Sequence, residues 1–265
     1  MNSIAVSASP HVRYVLRLAD TCLIHAQRLS EWCGHAPVLE EDIAMTNLSL
    51  DLMGQARALL SHAGSLDGQR WDEDQLAFLR DERHYFNLTL AEQPMRRSSA
   101  HSPGGDFADA VVRNLILAVW FRLHWQALAA SSDAELAAIA GKALKESRYH
   151  EEHAAQWVIR LGDGTEVSHA KTQAALDRAW AYTAEMFVDD DTDAYAQAQG
   201  LGPLRSSLRE AWQSSVQAVL DEATLSVPPA SSFLSTGSRG THSEHMGFIL
   251  AEMQYLQRAY PGGRW

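Results

Sequence analysis

The sequence predicts an all-α protein, and three observations support this fold class. Alanine and leucine dominate the 265 residues while β-branched residues are sparse, which favours helix over strand. Apolar residues recur every three or four positions in most long segments. No segment shows the apolar–polar alternation of a half-buried strand. We therefore expect about eight helices in a single domain over residues 10–265, after a disordered tail over residues 1–9.

The first two predicted helices follow each other closely. Pro10 suits the first turn of a helix, and from there to Trp32 the apolar positions repeat with helical period. A second helix is predicted from Pro37 to His62, and because it is apolar nearly all round we expect it to be central. One stripe of this helix is nevertheless polar, formed by Asn47, Asp51, Gln55 and His62.

Five of the remaining helices are expected on the same grounds, at residues 74–91, 107–130, 168–187, 204–225 and 246–259. Ser168 is the expected cap of the sixth helix, and Thr241 with Glu244 has the spacing of a capping box for the last one. The segment 95–105, rich in Ser, Pro and Gly, and the acidic run 188–193 are predicted to be loops.

The fifth predicted helix carries the functional argument. Asp133 is its expected cap, and the glycines at 162 and 164 are expected to end it. Residues at helical spacing form one stripe that is apolar at both ends and ionisable in the middle. The stripe consists of Ile139, Ala143, Glu146, His150, His153 and Trp157. Carboxylates and imidazoles that project into a helical bundle are the ligands of di-iron proteins, so this helix has the character of a metal-binding helix.

The motif on this helix departs from the usual Glu-x-x-His pattern of such sites. Glu146 is followed by Tyr149 at the third position, and His150 comes one step late. Three interpretations are open at this point: a solvated polar face, a metal site that has lost its ligands, and a working metal site.

The second and fifth helices align as an internal pseudo-repeat. Placing Asp51 on Glu146 sets Gly54 against Tyr149 and Gln55 against His150. Each of the two helices follows another apolar helix after a short turn, and two such pairs make the four-helix core of a ferritin-like bundle. The positions proposed for a vacated di-iron site are Asp51, Gly54, Glu146, Tyr149 and His150.

A carboxylate that stays in a bundle core without metal needs another partner, because an unpaired buried charge is costly. We therefore expect Asp51 and Glu146 to be buried and paired with arginines or other donors rather than with metal. The candidate partners are Arg57, Arg122 and Arg148.

Further candidate ligands lie outside this motif. Asp81 and His84 have ligand spacing in the third predicted helix, although charged neighbours on every side favour a solvated face. His153 is a further candidate ligand on the fifth helix.

Composition excludes several functional classes. The net charge of −11 and the pI near 5.5 argue against nucleic acid or an anionic membrane as the partner. The sequence contains no apolar run of about 20 residues and no secretory signal. Cys22 and Cys33 would lie about 16 Å apart on one helix, too far for a disulfide, so we expect two reduced core thiols in a cytoplasmic protein.

Long strings of the sequence resemble the C subunits of bacterial phenylacetyl-CoA epoxidases. The likeness covers nearly the whole chain, from about Val12 to Trp265, and is specific because the strings occur in order. The strings lie at residues 28–60, 78–88, 142–168, 221–228 and 240–262.

The resemblance implies a ferritin-like fold and a place in a multicomponent monooxygenase that converts phenylacetyl-CoA to its 1,2-epoxide with O2. In this family the A subunit holds the di-iron centre, and a reductase with FAD and an iron–sulfur cluster delivers electrons from NADPH. The C subunit lacks the metal ligands and pairs with A. Gly54 and Tyr149 agree with this, since they stand where the histidines of two Glu-x-x-His motifs would be.

The sequence thus predicts a structural subunit that holds no metal or cofactor of its own and has the A subunit as its partner. A catalytic di-iron or di-manganese oxidase that uses Asp51, Glu146, His150 and His153 is the alternative. A third possibility is a stand-alone helical binding module without a redox role.

Overall fold

The computed structural model describes residues 3–95 and 106–263, and the predicted all-α class is confirmed. The described residues form ten α-helices and four short 3-10 helices, with two isolated β-bridges and no strand. The α-helices are α1 (Pro10–Glu31), α2 (Leu39–Leu66), α3 (Glu73–Phe78), α4 (Thr89–Glu92), α5 (Phe107–Leu128), α6 (Ala134–Gly162), α7 (Glu166–Trp180), α8 (Asp191–Ala198), α9 (Arg209–Glu222) and α10 (Glu244–Ala259).

Two helix pairs make the four-helix core of a ferritin-like bundle. The helix α1 packs along α2, and α5 packs along α6, with α2 and α6 in contact across the middle. Because the connection within each pair is short, the paired helices run antiparallel. The predicted loop at 95–105 lies outside the described residues, apart from the buried Met95. None of the described helices is long and apolar enough to cross a membrane.

The helix α1 is buried on almost every side. It starts at Pro10, as predicted, and its predicted apolar positions are all in the core. The helix also buries charged side chains such as Arg17 and Asp20, which find partners in other elements. Of the two cysteines, Cys22 is a buried thiol as expected, whereas Cys33 follows the end of α1 and is exposed.

The helix α2 is less central than its composition predicts. It runs from Leu39 to Leu66, and one face of it reaches solvent with large apolar side chains exposed. These exposed residues include Leu39 at 71%, Ile43 at 52% and Leu50 at 63%. An apolar helix with an uncovered face has more apolar surface than this chain buries by itself.

The prediction of one continuous third helix over residues 74–91 is wrong. The segment forms α3, a 3-10 turn at Glu82–His84 and α4, joined by extended backbone. The carboxylate of Asp20 on α1 accepts hydrogen bonds from the buried guanidinium of Arg80 and from the backbone N–H of Phe86. The backbone N–H of Phe86 thus has a side-chain acceptor in place of the carbonyl that a continuous helix would provide, and the backbone is not helical here.

The sixth predicted helix and the predicted loop at 188–193 also need correction. Thr165, not Ser168, caps α7, and the helix stops at Trp180 before a 3-10 turn. The acidic run at 188–193, predicted to be a loop, contains the start of α8. The cap of that helix is Asp190, whose charge is paired with Arg17.

The capping box predicted at Thr241 and Glu244 does not form. The N-cap of α10 is Ser243, whose hydroxyl accepts from the backbone N–H of His245 at 3.4 Å. The buried carboxylate of Glu92 accepts the Ser243 N–H at 2.6 Å and fixes the chain at this point. Thr241 instead lies in a β-bridge with Thr236.

The part of the predicted disordered tail that the structure describes, residues 3–9, lies against the bundle. The backbone N–H of Ile4 donates to the carbonyl of Leu79 at 3.1 Å. The N–H of Ser7 donates to the carboxylate of Asp67 at 2.7 Å. These two residues therefore have hydrogen-bond partners far along the chain, and the disorder expected for the tail stays a prediction.

Candidate functional site

The candidate site is the polar centre of the bundle, where α2 faces α6. Nε2 of His150 lies 3.1 Å from Oδ2 of Asp51. The amide of Gln55 donates to Oε2 of Glu146 at 2.9 Å. These two contacts cross-link the helices that the pseudo-repeat relates, so the sequence identified both the helices and the polar positions.

The two contacts are related by the same pseudo-twofold symmetry. The acid of each helix contacts the residue four positions after the acid of the other helix. The residues three positions after the acids, Gly54 and Tyr149, are exposed. The positions where Glu-x-x-His motifs would have their histidines therefore point away from the centre.

The full burial predicted for the two acids is wrong, and their partners are donors other than arginine. The side chain of Asp51 is 39% exposed and that of Glu146 is 19% exposed. The expected arginines lie elsewhere: Arg57 pairs with Glu73, Arg122 pairs with Glu151, and Arg148 is exposed. Both carboxylates are partly hydrated, and Glu146 also pairs with the exposed ammonium of Lys142 at 3.6 Å, so neither charge requires a guanidinium.

His150 is the buried member of the centre. Burial lowers the pKa of His150 below its usual value, although Asp51 and Glu146 pull the pKa upward. The imidazole is consequently neutral near pH 7, and its contact with Asp51 is a hydrogen bond rather than an ion pair.

The helices α1 and α5 bring further polar side chains to the centre. Cys22 lies 3.6 Å from Oε1 of Gln55, and burial raises the pKa of this thiol. His25 is buried beside Asn114, and burial holds the pKa of its imidazole well below the usual value. A small cavity lies between His25, Asn114 and His150. Sequence reasoning missed His25 and Asn114; the signal for His25 was its position one turn after Cys22 on α1.

This side-chain set does not fit a di-metal centre. Such a centre needs about four carboxylates and two histidines that converge. Here α1 and α5 contribute a thiol, an imidazole and an amide, while Asp51 of α2 contacts His150 and Glu146 of α6 contacts Gln55 and Lys142. Within residues 3–95 and 106–263, the metal-ligand side chains that converge in a group of three lie elsewhere.

The remaining candidate ligands also lie apart from the centre. Nε2 of His153 contacts Oε2 of Glu41 at 2.8 Å. Asp81 is exposed and accepts a hydrogen bond from Ser3, and it belongs to a 3-10 turn rather than to a helix. His84 follows in that turn, and its carbonyl accepts from Arg80. The structure therefore does not bring Asp81 and His84 to the bundle centre or join them to His153.

The central contacts join α2 to α6. On the outside of the bundle, α2 has an exposed apolar face, and Tyr149 of α6 is 51% exposed.

Comparisons with known proteins relate the chain to phenylacetic acid catabolism. Residues 2–265 match the family described as "Phenylacetic acid catabolic protein". The chain is also similar to the C subunit of the 1,2-phenylacetyl-CoA epoxidase from Escherichia coli (strain K12). The two are 47% identical over 252 residues, which is 95% of this chain and 98% of that protein.

Proposed function

This chain belongs to the phenylacetic acid catabolic protein family, and from that premise we propose that it is the non-catalytic structural subunit of a phenylacetyl-CoA epoxidase. It supports the di-iron A subunit, which epoxidises the aromatic ring of phenylacetyl-CoA in aerobic phenylacetate degradation in the cytoplasm. The di-iron centre, the FAD, the iron–sulfur cluster and the NADPH-binding site belong to other subunits of this O2-dependent monooxygenase.

The observation that carries the proposal is the pairing inside the bundle. Each acid of the α2–α6 interface is bound by one residue of the opposite helix, Asp51 by His150 and Glu146 by Gln55. These bonds between the two helices engage the acids that a di-metal centre would require as shared ligands. The same bonds hold the two helices together, which is a structural role.

The exposed face of α2 supports the partner. Leu39, Ile43 and Leu50 lie on one side of this helix, since their spacing brings them within about 40° of each other around the axis. Large exposed apolar surfaces mark protein interaction sites, and lasting interfaces bury about 2,000 Å² or more. We assign the contact with the A subunit to this face of α2.

The oxidase alternative requires the central contacts to be rebuilt. His153 would have to leave Glu41, and Asp51 would have to leave His150, before these groups could share a metal. No contact among the described residues favours this rearrangement.

The experiment co-expresses the chain with a di-iron A subunit and repeats the preparation without it. We expect the two to elute together and the A subunit to lose solubility or activity when alone. Leu50→Asp should break the complex while leaving the fold intact, because the residue is exposed. Leu256→Asp, at an exposed apolar position of α10, is the matched control and should leave the complex intact.

Two results would overturn the proposal. One is an A subunit that epoxidises phenylacetyl-CoA at full rate without this chain. The other is two irons per chain after anaerobic reconstitution of this protein alone, with oxidase activity. A complex that survives Leu50→Asp and dissociates with Leu256→Asp would move the contact from α2 to α10 and contradict the assigned face.

A further inference from the structure

A second polar cluster lies at one end of the bundle, away from the candidate site. His11 is in the first turn of α1, His62 is near the end of α2, and Asp133 is the N-cap of α6. His62 follows Asp51 by about three helical turns, or roughly 16 Å along the axis. The cluster is therefore separate from the central contacts between α2 and α6.

Both imidazoles contact the same carboxylate oxygen. Nε2 of His11 lies 3.0 Å and Nε2 of His62 lies 2.7 Å from Oδ2 of Asp133. The three ligand atoms lie within 4.8 Å of one another. In the parts of the chain that the structure describes, no other three His, Cys, Asp or Glu side chains converge in this way.

Hydrogen bonds from the start of α6 orient the carboxylate of Asp133. Its other oxygen, Oδ1, accepts the backbone N–H of Glu135 at 3.0 Å and of Leu136 at 3.1 Å. Burial raises the pKa of Asp133, but the hydrogen bonds from Leu136 and His62 outweigh burial and hold the pKa below its usual value. The carboxylate is thus ionised and fixed in orientation, with Oδ2 turned to the two imidazoles.

From this geometry we propose that His11, His62 and Asp133 bind one Zn²⁺ ion, with water as the fourth ligand. Two imidazole nitrogens and one carboxylate oxygen are ligands that zinc prefers, and three protein ligands leave one open position. The side chain of His11 is 22% exposed, against 8% for His62 and 10% for Asp133, so solvent reaches the cluster from the His11 side.

The ligand atoms of the cluster have to move apart to accept the ion. Zinc–ligand bonds of about 2.0–2.1 Å place tetrahedral ligand atoms about 3.4 Å apart. The two contacts to Oδ2 therefore open by about half an ångström. With zinc, each imidazole would bind through the lone pair of Nε2 and carry its proton on Nδ1.

The site would join three helix ends that are distant in the sequence. Zinc that binds the folded chain stabilises it by mass action, so the melting temperature rises with the zinc concentration. The proposal is independent of the structural role in the epoxidase, because it involves neither the central contacts between α2 and α6 nor the exposed face of α2.

The test uses the purified full-length chain, stripped with a chelator and titrated with Zn²⁺ against a chromophoric competitor. We expect one zinc per chain and a melting temperature that rises with the zinc concentration. Even residues behind a metal ligand typically change affinity by 10–100-fold, so His62→Ala should weaken binding at least about 100-fold.

His11→Gln provides a second variant if His62→Ala fails to fold, since His11 lies at the exposed edge of the cluster. His153→Gln is the matched control, because His153 also contacts a carboxylate across α2 and α6. Zinc affinity that is unchanged in His11→Gln would overturn the proposal. Zinc that is lost only in His153→Gln would do so too, and would instead contradict the metal-free centre of the proposed function.

Discussion

The buried ion pair between Arg80 and Asp20 should be among the most costly contacts to break. Both side chains are 0% exposed, and the guanidinium also donates to the carbonyl of His84 at 2.7 Å. It lies over the ring of Tyr85, 4.2 Å from the centroid. Arg80→Met leaves the Asp20 carboxylate buried with only the backbone N–H of Phe86 as a donor. Removing one partner of a buried pair costs about 3–5 kcal/mol, and we expect a loss of that size.

The measurement is the free energy of unfolding from urea denaturation. Arg57→Met is the matched control, because Arg57 also pairs with a carboxylate but its side chain is 75% exposed. The loss there should be at most about 1 kcal/mol. Combining Arg80→Met with Asp20→Asn should recover part of the stability, since it removes the uncompensated charge and keeps an acceptor for Phe86. If Arg80→Met and Arg57→Met differ by less than about 0.5 kcal/mol, burial does not set the strength of this pair.

Three further predictions follow from the helix cap, the bundle centre and a buried histidine. Ser243→Ala should lower stability by about 1 kcal/mol and Thr241→Ala by less than about 0.5 kcal/mol. If the denaturation midpoint falls more in Thr241→Ala than in Ser243→Ala, Thr241 and not Ser243 is the N-cap of α10. Glu146→Ala should cost about 1–2 kcal/mol, since it removes a charge-assisted hydrogen bond at a site 19% exposed; a measured loss above about 3 kcal/mol would contradict this. Burial lowers the pKa of His242, but hydrogen bonds to a buried glutamate and a carbonyl outweigh burial and raise the pKa above 6.5. The stability that protonated His242 contributes is therefore complete below pH 6.5 and is lost as the pH rises through the raised pKa. His242→Gln should lower the free energy of unfolding more at pH 6 than at pH 9. An equal loss at both pH values would contradict the raised pKa.

The sequence by itself determined the helical class, the four core helices and the helix pair that meets at the centre. The reason is that these features are local. A proline at residue 10 and an aspartate at 133 mark helix starts, and both starts are confirmed. The equivalent positions that the alignment gives to Asp51 and Glu146 are also confirmed, since both acids lie at the interface of α2 and α6.

The tertiary structure alone decided which side chains contact each other and where several helices break. Asp20 interrupts the predicted third helix from 60 residues away, through Arg80. Glu92 precedes Ser243 by 151 residues, and its carboxylate accepts the Ser243 N–H where α10 begins. Helical periodicity carries no information about such partners, because it describes one segment at a time.

The same limit applies to the two polar clusters. The sequence suggested arginines for the central acids, but a neutral histidine and a glutamine contact them instead. The cluster of His11, His62 and Asp133 has no signature in the sequence at all. Its three members come from the start of α1, the end of α2 and the cap of α6, and only the packing of those helix ends brings one carboxylate oxygen within hydrogen-bonding distance of two imidazoles.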